Sequence, residues 1–317
     1  MAVRNLNNTM AAKNPSKTSG FVGLGRLGLR LAANLLQSGF SVLGYRRSSM
    51  DDFVGLGGSA AVSVEEIGRN CDLIISCLPS ESAAAETVQA LIASADSEGG
   101  PKVLLDLSTL PLSFKLRQHE RLEKAGIITL DGAVSGRPED AGRREAVILI
   151  SGPEHAVDIA RSAVAAMTDV AIELGSFGMA TKMKLLVNMG LAIQVLMTAE
   201  LVNAGARMGF PPGVVVDVLN AGPVSFRQLA VRTRAILDDD GRLETDNKVR
   251  LFGKDLGIID SYLEDLGTAR PLFSAALDVY REAIRSSVGG GDTAVLFARM
   301  LDRKNHAGQR SDLSADS

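Results

Sequence analysis

The sequence predicts an α/β domain with a mostly parallel, doubly wound sheet, followed by an all-α C-terminal domain. Three observations predict it. Short unbroken apolar runs alternate with helical patterns through the first half, and a glycine-rich turn joins the first run to the first helical pattern; after Gly178 the strand-like runs stop and a long apolar helical segment begins. With 317 residues and 46% hydrophobic content, the chain can fill two cores.

Residues 1–19 (MAVRNLNNTMAAKNPSKTS) carry three basic and no acidic side chains and lack the apolar centre of a secretory signal. They are expected to form a disordered tail, with an organelle-targeting segment as the alternative. From Gly20 the runs GFVGLG, SVLGY, DLIISCLP, KVLLDLS, IITLDGAVS, AVILIS and VAIELG follow in order. Val, Ile and Leu without polar alternation mark strands buried on both faces, and intervening helices then make right-handed crossovers between parallel strands. The first domain is thus expected over 20–178. Thr181 to Gly209 contains no proline and is apolar around most of its circumference, which predicts a buried helix of about 29 residues, roughly 43 Å long. Further helices are expected at 213–220, 224–237, 249–267, 270–287 and 292–303, giving a helical domain over 179–305 and a polar tail over 306–317.

Charge and cysteine content exclude several functions. The 34 basic and 37 acidic residues include no long basic run, so nucleic acid is not an expected partner. Two cysteines, Cys71 and Cys77, make no disulfide framework, which suits a reducing, cytoplasmic setting; their spacing suggests two thiols on one face of a buried strand. The longest apolar stretch, Leu185 to Ala199, is interrupted by Asn188 and Gln194 and is shorter than the roughly 20 residues a bilayer span needs. A soluble protein with no membrane partner is expected.

The turn after the first strand reads Gly23-Leu24-Gly25-Arg26-Leu27-Gly28. Its first glycine permits a tight turn, the second lets backbone amides approach a pyrophosphate, and the third lets the helix pack close to the strand. The helix N-terminus adds partial positive charge. The motif alone is a weak signal, but here strand, loop, helix and next strand stand in the right order, which is the dinucleotide-binding arrangement of a Rossmann domain. The second strand ends in Arg46-Arg47-Ser48, 18 to 20 residues past Gly28. An acidic residue there would hold the ribose hydroxyls of NAD, whereas arginine and serine suit the 2′-phosphate of NADP(H). A solvated basic turn is the alternative, and Asp51 or Asp52 could still serve NAD.

A nicotinamide-dependent reaction needs a proton carrier beside the hydride path. His119 lies in a charged helical segment, His155 in a turn and His306 in the polar tail, all expected at the surface. None of Tyr45, Tyr262 and Tyr280 has a lysine four residues later, and two cysteines cannot make a zinc site of the alcohol dehydrogenase kind. Lys184 and Asn188, four residues apart, point the same way from the long buried helix, with Lys182 on nearly the opposite side. Burial would bring the Lys184 ammonium toward the working pH and make it an acid/base group, with Asn188 fixing a substrate oxygen. The other reading has Lys184 extending along its stem to water. The helix pattern alone leaves both open.

In order, GFVGLGRLG, YRRSS, DLSTLP, DGAVSG, KxxxN at 184–188 and Lys254-Asp255 make a sequence that resembles the β-hydroxyacid dehydrogenase family, over residues 20 to 303. ATKMKLLVNM at 180–189 is similar to the glyoxylate/succinic semialdehyde reductase branch. The resemblance implies a Rossmann domain, an interdomain helix, a helical C-terminal domain and an active site in the cleft between them, acting on a small hydroxy acid or aldehyde acid. It implies that Lys184 is catalytic, that Ser135 and Gly136 bind the substrate carboxylate and Asn188 orients the substrate. It also implies that Thr109, Lys254, Leu78 and Pro79 touch the cofactor, and that the protein is a homodimer or homotetramer. The substrate loop departs from the family's DAPVSGG: it reads DGAVSGRPEDAGRREA, with Ala133, Arg137 and Arg144 where proline and glycines are expected, and Asn247 stands where related reductases carry an aromatic residue. Arg137 has two readings, a partner for a second anionic group of the substrate or a surface residue paired with Glu139 or Asp140. Imine reduction and an inert NADP-binding interaction module are the alternatives to hydroxy-acid chemistry; the family's lysine, present here, argues against both.

Overall fold

The computed structural model describes residues 4–5, 18–95, 103–225 and 249–285. The chain divides into two compact units, Met1–Leu186 and Val187–Ser317. The first is built on a nine-stranded sheet of order β1-β9-β8-β7-β6-β5-β2-β3-β4. Its strands are β1 (Arg4–Asn5), β2 (Thr18–Val22), β3 (Ser41–Tyr45), β4 (Ser59–Ala60), β5 (Leu73–Ser76), β6 (Val103–Asp106), β7 (Ile128–Ser135), β8 (Val147–Ser151) and β9 (Val170–Glu173). The helices between them are α1 (Arg26–Gln37), α2 (Asp51–Gly55), α3 (Val64–Asn70), α4 (Glu81–Ala95), α5 (Leu112–Lys124), α6 (Pro138–Gly142) and α7 (Glu154–Met167).

All seven expected strands are present, and β2 to β7 pair in parallel. Neighbouring residues of each strand feed opposite faces, as a pleated strand requires. Phe21, Ile75 and Leu105 enter a core with Leu31 and Leu35 of α1 and Val157 and Val164 of α7, while Val22, Ile74 and Leu104 enter another with Ile67, Leu91 and Leu122 of α3, α4 and α5. The buried Asn34 side chain donates to the carbonyls of Ala141 (2.7 Å) and Met167 (3.1 Å), tying α1 to α6 and α7.

Several details differ from expectation. β8 runs antiparallel to β7, because a hairpin-like return at Gly136–Ala146 replaces a crossover, and β9 then resumes parallel to β8. β2 begins at Thr18, inside the expected tail, and Arg4–Asn5 pairs antiparallel with the edge strand β9. β4 is a further two-residue strand. Cys71 and Cys77 flank β5 rather than lying within it; neither is in a disulfide, Cys71 is buried and Cys77 half-buried.

The long helix α8 spans Met179–Arg207, two residues earlier than expected at either end. It starts in the first unit and continues into the second. There Ala199 and Val202 pack on Val216 of α9 (Pro212–Ala221). α10 (Val249–Asp265) and α11 (Pro271–Arg285) meet through an edge-to-face pair of Phe252 and Tyr280, 5.7 Å between centroids, and Asp260 accepts from both Arg270 and Arg281 at 2.9 Å. Residues 226–237 of one expected helix, the expected helix 292–303, Asn247 and His306 lie outside the described residues.

Candidate active site

The order β6-β5-β2-β3 places β2, the first strand of the doubly wound motif, between β5 and β3, so the crossovers on its two sides run to opposite faces of the sheet. A crevice opens at the carboxyl ends of the strands where such an order reverses. Here it is a cavity of about 830 Å³, lined by the 23–28 loop, by Arg46, Arg47 and Ser48 after β3, and by Leu78 and Pro79 after β5.

Each glycine of the loop answers to a separate constraint. Gly23 has φ +95°, and a Cβ on it would overlap the Cys77 carbonyl. A Cβ on Gly28 would overlap the Gly23 carbonyl, so α1 can leave the loop only without one. A Cβ on Gly25 would meet nothing within 4 Å, leaving open space on the side from which a pyrophosphate would approach. Gly25 is the N-cap of α1 and offers no side-chain cap, and the N-terminus of α1, with its partial positive charge, faces the loop.

Arg46 is held on three sides. Its guanidinium donates to the Leu24 carbonyl (2.8 Å) and the Ser49 carbonyl (2.5 Å), and pairs with Asp52. That hydrogen bond keeps the Asp52 carboxyl below its ordinary value. Arg47 is exposed and pairs with Glu86 of α4, also on the cavity wall. Asp51 is engaged with Ser49.

The remaining expected residues do not line this cavity. Thr109 follows β6, in a loop where Ser108 accepts from the Leu78 amide at 2.8 Å. Ser135 ends β7 and Gly136 follows it. The Arg137 guanidinium makes a bidentate pair with Asp140 (3.1 and 2.9 Å), while the Arg137 amide donates to the same carboxylate at 2.9 Å, which caps α6. Lys184 is half-buried on α8. In the second unit, the buried Asn188 amide donates to Asp255 at 3.0 Å, and Lys254 Nζ stands 3.5 Å from the other oxygen of that carboxylate.

Sequence reasoning missed a buried ionic cluster where the carboxyl end of β6 meets the middle of β7. Lys115 of α5, 2% exposed, pairs with Asp131 at 2.7 Å and Asp106 at 3.2 Å, and reaches the carbonyls of Ser108 (3.1 Å), Asp106 and Gly132 (both 3.3 Å). Burial acts to lower the Lys115 pKa, but the two carboxylates outweigh it and hold the ammonium above its ordinary value. Asp131, fully buried, accepts from the Thr181 amide (2.8 Å), the Thr181 hydroxyl (2.6 Å) and Ser151 Oγ (3.2 Å). A signal was available, since Lys115 falls in one helical row with Leu112 and Leu122, at spacings of three and seven. His119, expected at the surface, is half-buried: it stacks on Phe177, 4.2 Å between centroids, and bonds Thr129.

A dinucleotide cavity at the switch point of a doubly wound sheet, joined to a helical unit by a long lysine-bearing helix, defines an NAD(P)-binding oxidoreductase. Comparison with known proteins agrees. The family model for the NAD-binding domain of 6-phosphogluconate dehydrogenase matches residues 18–176, and that for the NAD-binding domain of NADP-dependent 3-hydroxyisobutyrate dehydrogenase matches residues 178–300. The chain belongs to the β-hydroxyacid dehydrogenase family. It is 27% identical over 295 residues to L-threonate dehydrogenase of Cupriavidus necator, covering 89% of this chain and 95% of that one. It is 28% identical over 305 residues to mitochondrial 3-hydroxyisobutyrate dehydrogenase of Rattus norvegicus, covering 93% and 90%. Among solved structures, 3-hydroxyisobutyrate dehydrogenase of Mycobacterium tuberculosis with L-serine has the same fold, with a TM-score of 0.79 at 23% identity over 89% of this chain and 98% of that one.

Proposed function

We propose that this dehydrogenase is NADP-dependent and interconverts a small β-hydroxy acid with its aldehyde or keto acid, using Lys184 as proton-transfer residue. The observation that carries the cofactor choice is the pair of guanidinium groups of Arg46 and Arg47, with Ser48, on the wall of the dinucleotide cavity where no carboxylate directly follows β3. A 2′-phosphate would exchange for Asp52 and Glu86 as their partner, a charge-assisted contact for a charge-assisted contact.

The bound cofactor supplies or accepts the hydride. The chain's own residues do the rest. In this reading the 23–28 loop and the α1 N-terminus would hold the pyrophosphate, Leu78, Pro79 and Thr109 would pack on the cofactor, and Ser135 with the Gly136 backbone would hold the substrate carboxylate. Lys184 gives a proton to the carbonyl oxygen during reduction and takes it from the hydroxyl during oxidation. Asn188 stands one turn further along α8, on the side of the helix that Lys184 shares, and orients the same oxygen. Its anchorage to Asp255 fixes the amide rotamer for that role. Exposed Met208, Phe210, Val214 and Val218, clustered around the α8–α9 turn, support self-association through the helical unit.

The test is a screen of NADPH and NADH consumption with glyoxylate, succinic semialdehyde, tartronate semialdehyde, methylmalonate semialdehyde and a cyclic imine, with L-threonate and 3-hydroxyisobutyrate in the oxidative direction. Turnover of an aldehyde acid with NADPH is expected. Turnover of the imine alone would replace the reading with imine reduction, and inertness toward all would favour a binding module.

A further inference from the structure

Lys184 is the proposed proton carrier, and the turn of α8 that precedes it is tied to the sheet. The amides at the helix start have no intrahelical partners. Two of them are met by the sheet: Ala180 N–H donates to Ser151 Oγ at 3.0 Å and Thr181 N–H to Asp131 at 2.8 Å. The Thr181 hydroxyl adds a 2.6 Å bond to the other Asp131 oxygen. A carboxylate suits the positive end of the helix dipole. Asp131 is itself fully buried, and a bare carboxylate there would be costly; the Lys115 ammonium at 2.7 Å makes it tolerable and fixes its plane.

The same ammonium reaches two further segments that carry expected site residues. It donates to the Ser108 carbonyl, one residue before Thr109, and to the Gly132 carbonyl, three residues before Ser135. The face of α5 that bears it continues the grip on the approach to α8, because His119 stacks on Phe177 and Leu112 packs close to Gly178. Thr181 and Lys184 are three residues apart, neighbours on the helix surface with a rise of about 4.5 Å. Any rotation of the first turn therefore carries Lys184 with it.

We propose that Lys115 is a positioning residue which, through Asp131 and the Thr181 hydroxyl, fixes the first turns of α8 and so the direction in which Lys184 presents its ammonium. This rests on Lys184 as the proton-transfer residue. An ion cluster that merely stabilised the sheet would need neither the Thr181 hydroxyl nor its contact with the β7 carboxylate.

The deciding variant is Thr181→Val, which keeps shape and backbone, removes one hydrogen bond and buries no new charge. With the full-length protein and the acid that the screen shows to be turned over fastest, kcat should fall about tenfold or more, as loss of reacting geometry does, while the Kd for NADPH stays within about twofold. Thr181→Ser should restore kcat, since the hydroxyl returns. Lys115→Met should lower kcat and the thermal midpoint together, and if it fails to fold the Thr181 pair still decides. Wild-type kcat in Thr181→Val, or a fall in kcat matched by weaker NADPH binding and not rescued by serine, overturns the proposal. Lys184→Ala in the same assay separates the two claims. A Lys184→Ala variant with full turnover removes the proton-transfer reading and this one with it, whereas an inactive Lys184→Ala beside an unimpaired Thr181→Val removes the positioning role alone.

Discussion

Asp52 closes an ion pair on Arg46 at the wall of the dinucleotide cavity, where the guanidinium also grips the Leu24 carbonyl of the phosphate loop. The arginine therefore serves two structures at once. It shapes the loop in the free protein, and the 2′-phosphate of the proposed NADP would have to compete with a carboxylate for it. Replacing Arg46 by Asp and Arg47 by Ala is expected to shift the ratio of NADPH to NADH efficiency at least about tenfold toward NADH, because a charge-assisted contact to a phosphate contributes roughly 1.5 to 3 kcal/mol. Asp52→Asn should move the ratio the other way by freeing Arg46. Steady-state kcat/KM with both cofactors decides, and a wild type that already prefers NADH would overturn this account of Arg46 and Arg47.

Lys184→Ala is expected to lower the chemical step by a factor of about 10² to 10⁴, the range of a positioned acid or base. NADPH affinity should stay nearly unchanged, since Lys184 does not line the dinucleotide cavity. Single-turnover rates and a fluorescence titration with NADPH separate the two. Near wild-type turnover would take Lys184 out of the mechanism.

Local chemistry was legible in the sequence and long-range pairing was not. Unbroken Val, Ile and Leu runs declare buried strands wherever they sit, so all seven expected strands appear, and the demands on Gly23, Gly25 and Gly28 are set by atoms within one loop and its neighbour strand. AVILIS, however, has the same composition whichever way it runs, and only the pairing of Asp131 with Ser151 through Ser135 with Val147 makes β8 antiparallel. The Lys115 cluster was hidden for a related reason. Its members come from positions 106, 115, 131 and 181, and the helix that bears the lysine also carries the charged string RQHERLEK, which reads as a solvated face until the fold turns Lys115 and His119 inward.

The two thiols should differ in reactivity. Burial, helped by neighbouring Asp72, pushes the Cys71 thiol up to about 11, so only about 0.1% is thiolate at pH 8 and alkylation, which needs the thiolate, should pass it by. Cys77 is half-buried and lines the dinucleotide cavity. Mass spectrometry after brief treatment with iodoacetamide at pH 8 should find one adduct, at Cys77, slowed by saturating NADPH, and two after unfolding in urea. Modification of Cys71 at the rate of Cys77 in the folded protein would contradict its burial.

Arg137 stands beside Ser135 and Gly136, where a guanidinium could select acids with a second negative group. Its bidentate pair with Asp140 argues for a local task instead, because both carboxylate oxygens and the Arg137 amide are already committed to capping α6. Burial works against the ionised Asp140, and the hydrogen bonds from Arg137 outweigh it, so the carboxyl sits below its ordinary value. A depressed carboxyl contributes stability that is present above the unfolded pKa of about 3.9 and is lost as pH falls through the lower folded value. Arg137→Gly should therefore lower the thermal midpoint at pH 7 by a small amount, as expected of a partly exposed pair, and the gap from wild type should narrow below about pH 4. Across monoacid and diacid substrates its kcat/KM should change by a common factor. A selective loss on diacids of about 30-fold, equivalent to on the order of 2 kcal/mol, would instead make Arg137 the residue that reads the second anionic group, with Asp140 as the partner it leaves on binding.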